Sequence, residues 1–238
     1  MKPKKKSAPL TYSIYFGGAL FDLKDLIGNA YLAEAIYEKS HGRYRCHLPQ
    51  DFELRGLNPQ VIRDQDIEAL YASDLALFNF DGTELDSGTL VEFMLAKAAD
   101  IPAIILRTDL RGAGDQGGRR DPWNLMASFY PRTAVVRAAS LTDYRTLQQR
   151  RLRRAPTEDI RLAGQYASAA AGLVCDQLAP RIIKAFDQVR SLPAQLPAHL
   201  RAPVYEWLAF LPGLRGKPKV LRQQLETYLA AKVAKNLL

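Results

Sequence analysis

Acidic side chains cluster between a predicted strand and a predicted helix near the middle of the chain. Residues 75–80 form an apolar run typical of a buried strand, and residues 89–99 show the apolar spacing of a helix. Ligands of open α/β sheets bind where such strands end. Glu92 would lie about one turn into the helix, where the positive end of the helix dipole favours an ionised carboxylate. An ionised, partly enclosed carboxylate can attack an electrophilic carbon.

The same spacing also fits a purely structural role. Thr89-x-x-Glu92 has the form of a capping box, in which Glu92 only fixes the start of the helix. Asp86 and Ser87 are common turn and cap residues. Spacing alone leaves both interpretations open.

The surrounding elements predict an α/β fold with a mostly parallel sheet flanked by helices. Strands are predicted at residues 10–16, 44–48, 75–80, 101–106 and 133–137. Helices are predicted at 22–39, 59–72, 89–100 and 141–153, with a polar loop at 49–58 and a mobile surface loop at 107–121. The glycines after the first strand do not make G-x-G-x-x-G, and Gly-Lys-Ser/Thr is absent after the 107–121 loop. We therefore expect no dinucleotide or P-loop cofactor site, and no cofactor at all.

Composition divides the chain into three parts: a disordered basic arm at 1–10, an α/β catalytic domain at 11–155 and a basic helical C-terminal extension at 156–238. Residues 151–238 carry 14 Lys and Arg against 6 Asp and Glu, which accounts for the whole net charge of +8. We interpret this excess as a solvated helical surface rather than a specific nucleic-acid site. An apolar stripe, including Leu162, Tyr166, Ile182 and Phe186, predicts that the extension packs on the catalytic domain or on another subunit.

Within the extension we predict a long helix at 158–190, capped by Thr157 and ended or kinked by Pro180. Two further helices are predicted at 203–211 and 219–237. Trp207 and Phe210 have helical spacing, so we expect packing contacts there rather than a base-stacking surface.

Several classes of protein are disfavoured by what the sequence lacks. No stretch approaches 18 uninterrupted apolar residues, so no membrane span is expected. The basic start lacks the apolar core of a signal peptide. Cys46 and Cys175 are too far apart in sequence to suggest a disulfide framework or a metal site. We expect a cytoplasmic protein with reduced thiols.

Four short motifs, spread in order over about residues 12–137, resemble those of one enzyme family. They are Ile14-Tyr-Phe-Gly-Gly-Ala-Leu-Phe21, Asp66 eight residues before Asp74, Asp86-Ser-Gly-Thr-x-x-Glu92, and Asn124-Leu-Met126. The chain thereby resembles the nucleoside 2-deoxyribosyltransferases. The resemblance implies a Rossmann/flavodoxin-like fold and a role in nucleotide salvage. It also implies transfer of 2-deoxyribose between the bases of purine deoxynucleosides, and by extension pyrimidine ones.

The resemblance assigns three catalytic roles. Glu92 matches the nucleophile, which would hold the sugar as a covalent ester. Asp86 matches the acid that meets the leaving base, and Tyr15 matches the hydroxyl that orients the nucleophile. Double inversion at the anomeric carbon would give net retention, as in retaining glycosidases.

The resemblance also implies substrate contacts. Asp66 matches a second carboxylate at the base, while Gly17 and Phe21 lie in the loop that would approach and stack on it. Asn124, followed by Met126, matches a sugar 5′-hydroxyl contact that an adjacent subunit donates, so a homo-oligomer is implied. Family members end soon after the last strand, and in some the C-terminus closes the site, whereas here a long extension follows.

Two alternatives stay open at this stage. An N-glycosidase acting on deoxynucleosides or their 5′-monophosphates would use the same nucleophile, with water as the acceptor. The other alternative is a non-catalytic nucleotide-binding module whose tail binds nucleic acid. Three carboxylates in one cleft would repel phosphate, which counts against it.

Overall fold

The five strands form one sheet in which every neighbouring pair is parallel. The computed structural model describes residues 10–52, 58–82, 84–109, 124–152, 167–210 and 218–238. Its strands are β1 (Tyr12–Gly18), β2 (Tyr44–His47), β3 (Leu75–Asn79), β4 (Ala103–Arg107) and β5 (Thr133–Arg137), in the order β2-β1-β3-β4-β5. This is the flavodoxin-like order, which reverses direction between β1 and β3. The predicted α/β fold with a mostly parallel sheet is confirmed.

Helices cover both faces of the sheet. They are α1 (Leu23–Lys39), α2 (Pro49–Phe52), α3 (Pro59–Ala72), α4 (Ser87–Ala98), α5 (Ser140–Leu152), α6 (Ala167–Ser191), α7 (Ala198–Leu208) and α8 (Pro218–Ala234). Successive side chains of β3 point to opposite faces of the sheet. Leu77 packs in the apolar cluster with α1 and α6, whereas Phe78 packs in the cluster with α3, α4, α7 and α8. Among the described residues, no helix is long and apolar enough to cross a bilayer.

The C-terminal helices are part of the same core. Ile182 and Phe186 of α6 are fully buried against Leu32 and Ile36 of α1 and against the sheet. Leu162 and Tyr166, Thr157 as a cap, and the boundary near residue 155 lie outside the described residues, so those predictions stay untested. The 1–10 arm and most of the 107–121 loop also lie outside them.

Buried polar contacts fix the extension to the amino-terminal edge of the sheet. The guanidinium of Arg132, just before β5, pairs with Asp100 at 3.0 Å and donates to the carbonyl of Leu237 at 2.6 Å. Asp100 Oδ2 accepts from the backbone N–H groups of Gln195 and Leu196 at 2.7 and 2.9 Å. These bonds compensate the buried charges and hold the connection between α6 and α7 in place.

Three details of the sequence prediction were wrong, and one of the two alternatives predicted for Pro180, that it ends the helix, is excluded. Residues 49–52 form the short helix α2 inside the predicted loop. Pro180 does not end α6, which continues to Ser191 because buried apolar residues on both sides of the proline offset its missing N–H. Helix α7 begins at Ala198, five residues earlier than predicted. Trp207 and Phe210 are 61% and 51% exposed, because α7 packs through Tyr205 and Leu208 instead.

Candidate active site

A cavity of about 370 Å³ opens at the carboxyl-terminal edge of the sheet, beyond β1 and β3. The sheet order reverses at this point, which is where open α/β sheets place their ligands. Its walls come from the loop after β1, from α2, from α3 and from the start of α4. The lining residues are Gly18, Leu20, Phe21, Pro49, Pro59, Ile62, Arg63, Asp66, Ile67, Asp86, Gly88, Thr89 and Glu92.

The start of α4 shows what Asp86, Thr89 and Glu92 contact. Asp86 is the N-cap, because its Oδ2 accepts hydrogen bonds from the backbone N–H and the hydroxyl of Thr89, each at 2.7 Å. Glu92 lies about one and a half turns further along, and its Oε1 accepts a hydrogen bond from the Tyr15 hydroxyl at 2.8 Å. The capping-box hypothesis for Thr89 and Glu92 was therefore wrong, and the Glu92 carboxylate lines the cavity instead.

Strand β1 holds the partner of Glu92 rigidly. Tyr15 is fully buried, with its ring tilted against that of Phe78, so the hydroxyl has little freedom to leave the carboxylate. Gly17 lies two residues further along β1, on the same side of the strand. A Cβ at Gly17 would lie 2.7 Å from Glu92 Oε2, so any larger residue here would force the carboxylate to shift.

The other predicted base contacts lie in the same cavity. Asp66 enters from α3 and Asp86 from the cap of α4, so together with Glu92 they place three carboxylates around one space. Phe21 lines the mouth and is 80% exposed, so an apolar ring is available to cover a planar ligand. No group of three or more His, Cys, Asp or Glu residues in the described part of the chain is arranged to hold a metal ion.

Asn124 and Met126 do not line this cavity. Asn124 closes a turn, with Oδ1 accepting from the backbone N–H of Ala127 at 2.9 Å and the carbonyl accepting from the Ser128 hydroxyl at 2.6 Å. Three apolar side chains beside it are exposed: Leu125 (71%), Met126 (74%) and Phe129 (78%). Within one chain, the structure brings six of the eight predicted site residues together and leaves these two apart.

Lys97 connects the C-terminal end of α4 to the start of β5. Its Nζ donates to the carbonyl of Ile101 at 2.8 Å and to the Thr133 hydroxyl at 3.1 Å. Burial lowers the pKa of Lys97 to about 7. The helix that carries Glu92 is thus fixed at both ends, by Asp86 and by Lys97.

Sequence reasoning missed Arg63, which lines the cavity from α3. Its Nε donates to Asp64 Oδ1 at 2.9 Å. The available signal was its spacing, since Arg63 precedes Asp66 by three residues, and such residues are neighbours on one helix face.

Comparison with known proteins finds a family that the α/β part of the chain resembles. The sheet order and the cavity define a flavodoxin-like α/β protein with a carboxylate-lined pocket at its switch point. Residues 14–126, a little under half of the chain, match the family model described as nucleoside 2-deoxyribosyltransferase. This part of the chain is thus similar to the nucleoside 2-deoxyribosyltransferases, and the resemblance drawn from its motifs is confirmed.

Solved structures give similar matches. A conserved protein from Enterococcus faecalis V583 is 27% identical, covering 59% of this chain and 99% of its own, with a TM-score of 0.44. A 2-deoxyribosyltransferase from Bacillus psychrosaccharolyticus is 16% identical over 48% of this chain and 79% of its own, with a TM-score of 0.37. A 2-desoxiribosyltransferase from Leishmania mexicana is 23% identical over 42% and 67%, with a TM-score of 0.35. No curated protein matches the chain.

Proposed function

We propose that this protein transfers 2-deoxyribose between nucleobases through a covalent glycosyl ester on Glu92. The observation that carries the proposal is the 2.8 Å hydrogen bond from the buried Tyr15 hydroxyl to Glu92 Oε1, inside a cavity that Asp66 and Asp86 also line. The family match over residues 14–126 supports the same chemistry.

In the first half-reaction the Glu92 carboxylate attacks the anomeric carbon C1′ of a deoxynucleoside. The C1′–N bond breaks, and its electron pair passes to the base nitrogen. Because Thr89 engages Asp86 Oδ2, Oδ1 is the oxygen that would deliver a proton to the departing base. Tyr15 holds the carboxylate in line for attack, which contributes through orientation.

In the second half-reaction a new base attacks C1′ from the side that the first base left. Glu92 departs as a carboxylate, the proton of the incoming nitrogen returns to Asp86, and two inversions give net retention. Asp66 accepts a hydrogen bond from the base, and Phe21 covers its face. Purine deoxynucleosides are the proposed substrates, with pyrimidine deoxynucleosides as an extension.

Hydrolysis is the second candidate, because the cavity mouth is open. Phe21 is 80% exposed there, so water can reach C1′ of a glycosyl-enzyme. Deoxynucleosides fit such a hydrolase better than their 5′-monophosphates do. Three of the four charged residues that line the cavity are carboxylates, which disfavours a phosphate dianion.

A homo-oligomer is the proposed assembly. Asn124 lies outside its own cavity and next to the exposed side chains of Leu125, Met126 and Phe129. Apolar surface of this kind is commonly covered by another subunit, which would let Asn124 reach a neighbouring site. We propose no specific nucleic-acid partner, and a cytoplasmic location agrees with the free thiols of Cys46 and Cys175.

The deciding experiment incubates the protein with deoxyinosine and either free adenine or free guanine. The new deoxynucleoside, measured by chromatography, is the expected product, and Glu92→Gln serves as the inactive control. Free 2-deoxyribose formed at the same rate with and without an acceptor base would instead assign a hydrolase. Binding without either product would leave only a nucleotide-binding module.

A further inference from the structure

Arg63 is the one cation among the described residues that line the cavity. It faces the same space as Asp66, three residues later on α3, and as Asp86 and Glu92 on α4. Its side chain is 50% exposed, and Asp64 Oδ1 accepts from both Nε and Nη2. A guanidinium carries five N–H donors in a fixed plane, so this ion pair leaves donors for a ligand.

A guanidinium in a ligand cavity matches either a phosphate or a neutral carbonyl oxygen. The charges around Arg63 decide between them. Asp64 already neutralises much of its charge, and three carboxylates line the rest of the cavity, so a phosphate dianion would meet net repulsion. A carbonyl oxygen accepts the same hydrogen bonds without bringing a negative charge.

The position on α3 indicates which part of a nucleoside would meet Arg63. Residues three apart on a helix are neighbours on one face, so Arg63 lies beside Asp66, the proposed base contact. Together they offer a donor group and an acceptor group side by side. The amide-like edge of a 6-oxopurine, with its carbonyl oxygen next to a ring N–H, complements that pair.

We infer that Arg63 binds the exocyclic oxygen of 6-oxopurines and makes the site prefer hypoxanthine and guanine over adenine. This inference rests on the proposed transferase function and deepens it. As the C1′–N bond breaks, the electron pair that passes to the base spreads onto its exocyclic oxygen until Asp86 protonates the ring nitrogen. A cation at that oxygen stabilises the charge as it develops.

Adenine bound in the same orientation presents an amino group at that position. Its N–H donors would face the donors of the guanidinium, and both would lose hydrogen bonds to water. A site that binds one group by hydrogen bonding discriminates well against an analogue that cannot make the bond.

The experiment measures kcat/KM for exchange with deoxyinosine, deoxyadenosine and the deoxynucleoside of unsubstituted purine, using one common acceptor base. Arg63→Gln removes the positive charge and the planar set of N–H donors. Arg222→Gln on α8 is the matched control, because Arg222 is 47% exposed and pairs with Glu206 outside the cavity. We expect Arg63→Gln to lower kcat/KM for deoxyinosine roughly 5- to 50-fold and the other two less than about 3-fold. The control should change none of them.

Equal losses on all three substrates, or no loss on any, would overturn the inference. Deoxyinosine 5′-monophosphate is assayed as a fourth substrate; a loss confined to it would also overturn the inference, because Arg63 would then be a phosphate ligand. A second readout separates this result from the transferase proposal. Free hypoxanthine should bind the Glu92→Gln protein more tightly than adenine does, and Arg63→Gln should abolish the difference. Wild-type protein that exchanges bases without that difference would refute the role of Arg63 alone.

Discussion

Gly17→Ala is the most direct test of how the carboxylate is held. The new Cβ would lie 2.7 Å from Glu92 Oε2, 3.0 Å from the Phe78 ring and 3.1 Å from the Tyr15 ring. Ordinary contacts begin at 3.4 Å, so the carboxylate must retreat by about 0.7 Å or the strand must move. Phe78 and Tyr15 are fully buried, so the Glu92 side chain is the group that yields.

Two magnitudes follow from this crowding. Overpacking a closely packed site costs about 1–3 kcal/mol of unfolding free energy. In a chain of this size each kcal/mol lowers the melting temperature by about 2–4 °C. A displacement approaching 1 Å at a reacting group can cost about 100-fold in rate. We therefore expect a folded protein that melts a few degrees lower and exchanges bases up to about 100-fold more slowly.

The assay combines thermal melting with base exchange from deoxyinosine. Gly172→Ala is the control, because a Cβ there meets nothing within 4 Å and should stabilise α6 by about 0.5–1 kcal/mol without changing activity. Adding Glu92→Ala to Gly17→Ala should restore part of the stability but no activity, since it removes the contact at 2.7 Å and leaves those with the Phe78 and Tyr15 rings. Near-normal exchange and melting for Gly17→Ala alone would refute this account of Gly17.

Three further changes test other parts of the molecule. Glu92→Gln should lower exchange by about 1000-fold or more while the protein stays folded, and a 2-fluoro-arabinosyl nucleoside should label wild-type residue 92; a label elsewhere would reassign the nucleophile. Tyr15→Phe should remove one hydrogen bond, costing about 1 kcal/mol in stability and about 10-fold in kcat, and an unchanged kcat would show that Glu92 needs no orienting hydroxyl. Arg132→Met should lower the free energy of unfolding in urea by about 3–5 kcal/mol, because it leaves Asp100 buried without its ion pair. A loss under about 1 kcal/mol would mean that water reaches Asp100.

Periodicity and local signals predicted most of the fold. Helix α3 has the predicted bounds, 59–72, because Asn58 caps it and its Oδ1 accepts from the backbone N–H of Gln60. Asp22 caps α1 in the same way. Strand β5 matches residues 133–137 as predicted. Such elements are specified by side chains within a few positions of their ends, so sequence alone can find them.

Features that depend on distant partners were not predictable in this way. Thr89 and Glu92 fit a capping box locally, but Tyr15, 77 positions away, binds Glu92 instead. The crowding around Gly17 comes from that same carboxylate and from the Phe78 and Tyr15 rings, and the sequence around position 17 does not reveal it. Trp207 is exposed because neighbouring residues of α7 face the core, and periodicity does not say which face is buried. Motif resemblance predicted eight site residues where local spacing left their roles open, and the structure brings six of them together.

The packing of α6 against α1 has a consequence for synthesis of the protein on the ribosome. Leu32 and Ile182 belong to the same apolar cluster but are 150 positions apart in the chain. At about 5–20 residues per second, the ribosome makes α6 roughly 8–30 s after α1. For that interval one apolar face of the nascent sheet lacks its cover and is open to chaperones or to other nascent chains. Slower translation lengthens the exposure, so the yield of native protein should respond to chaperone supply during synthesis more than to conditions after release.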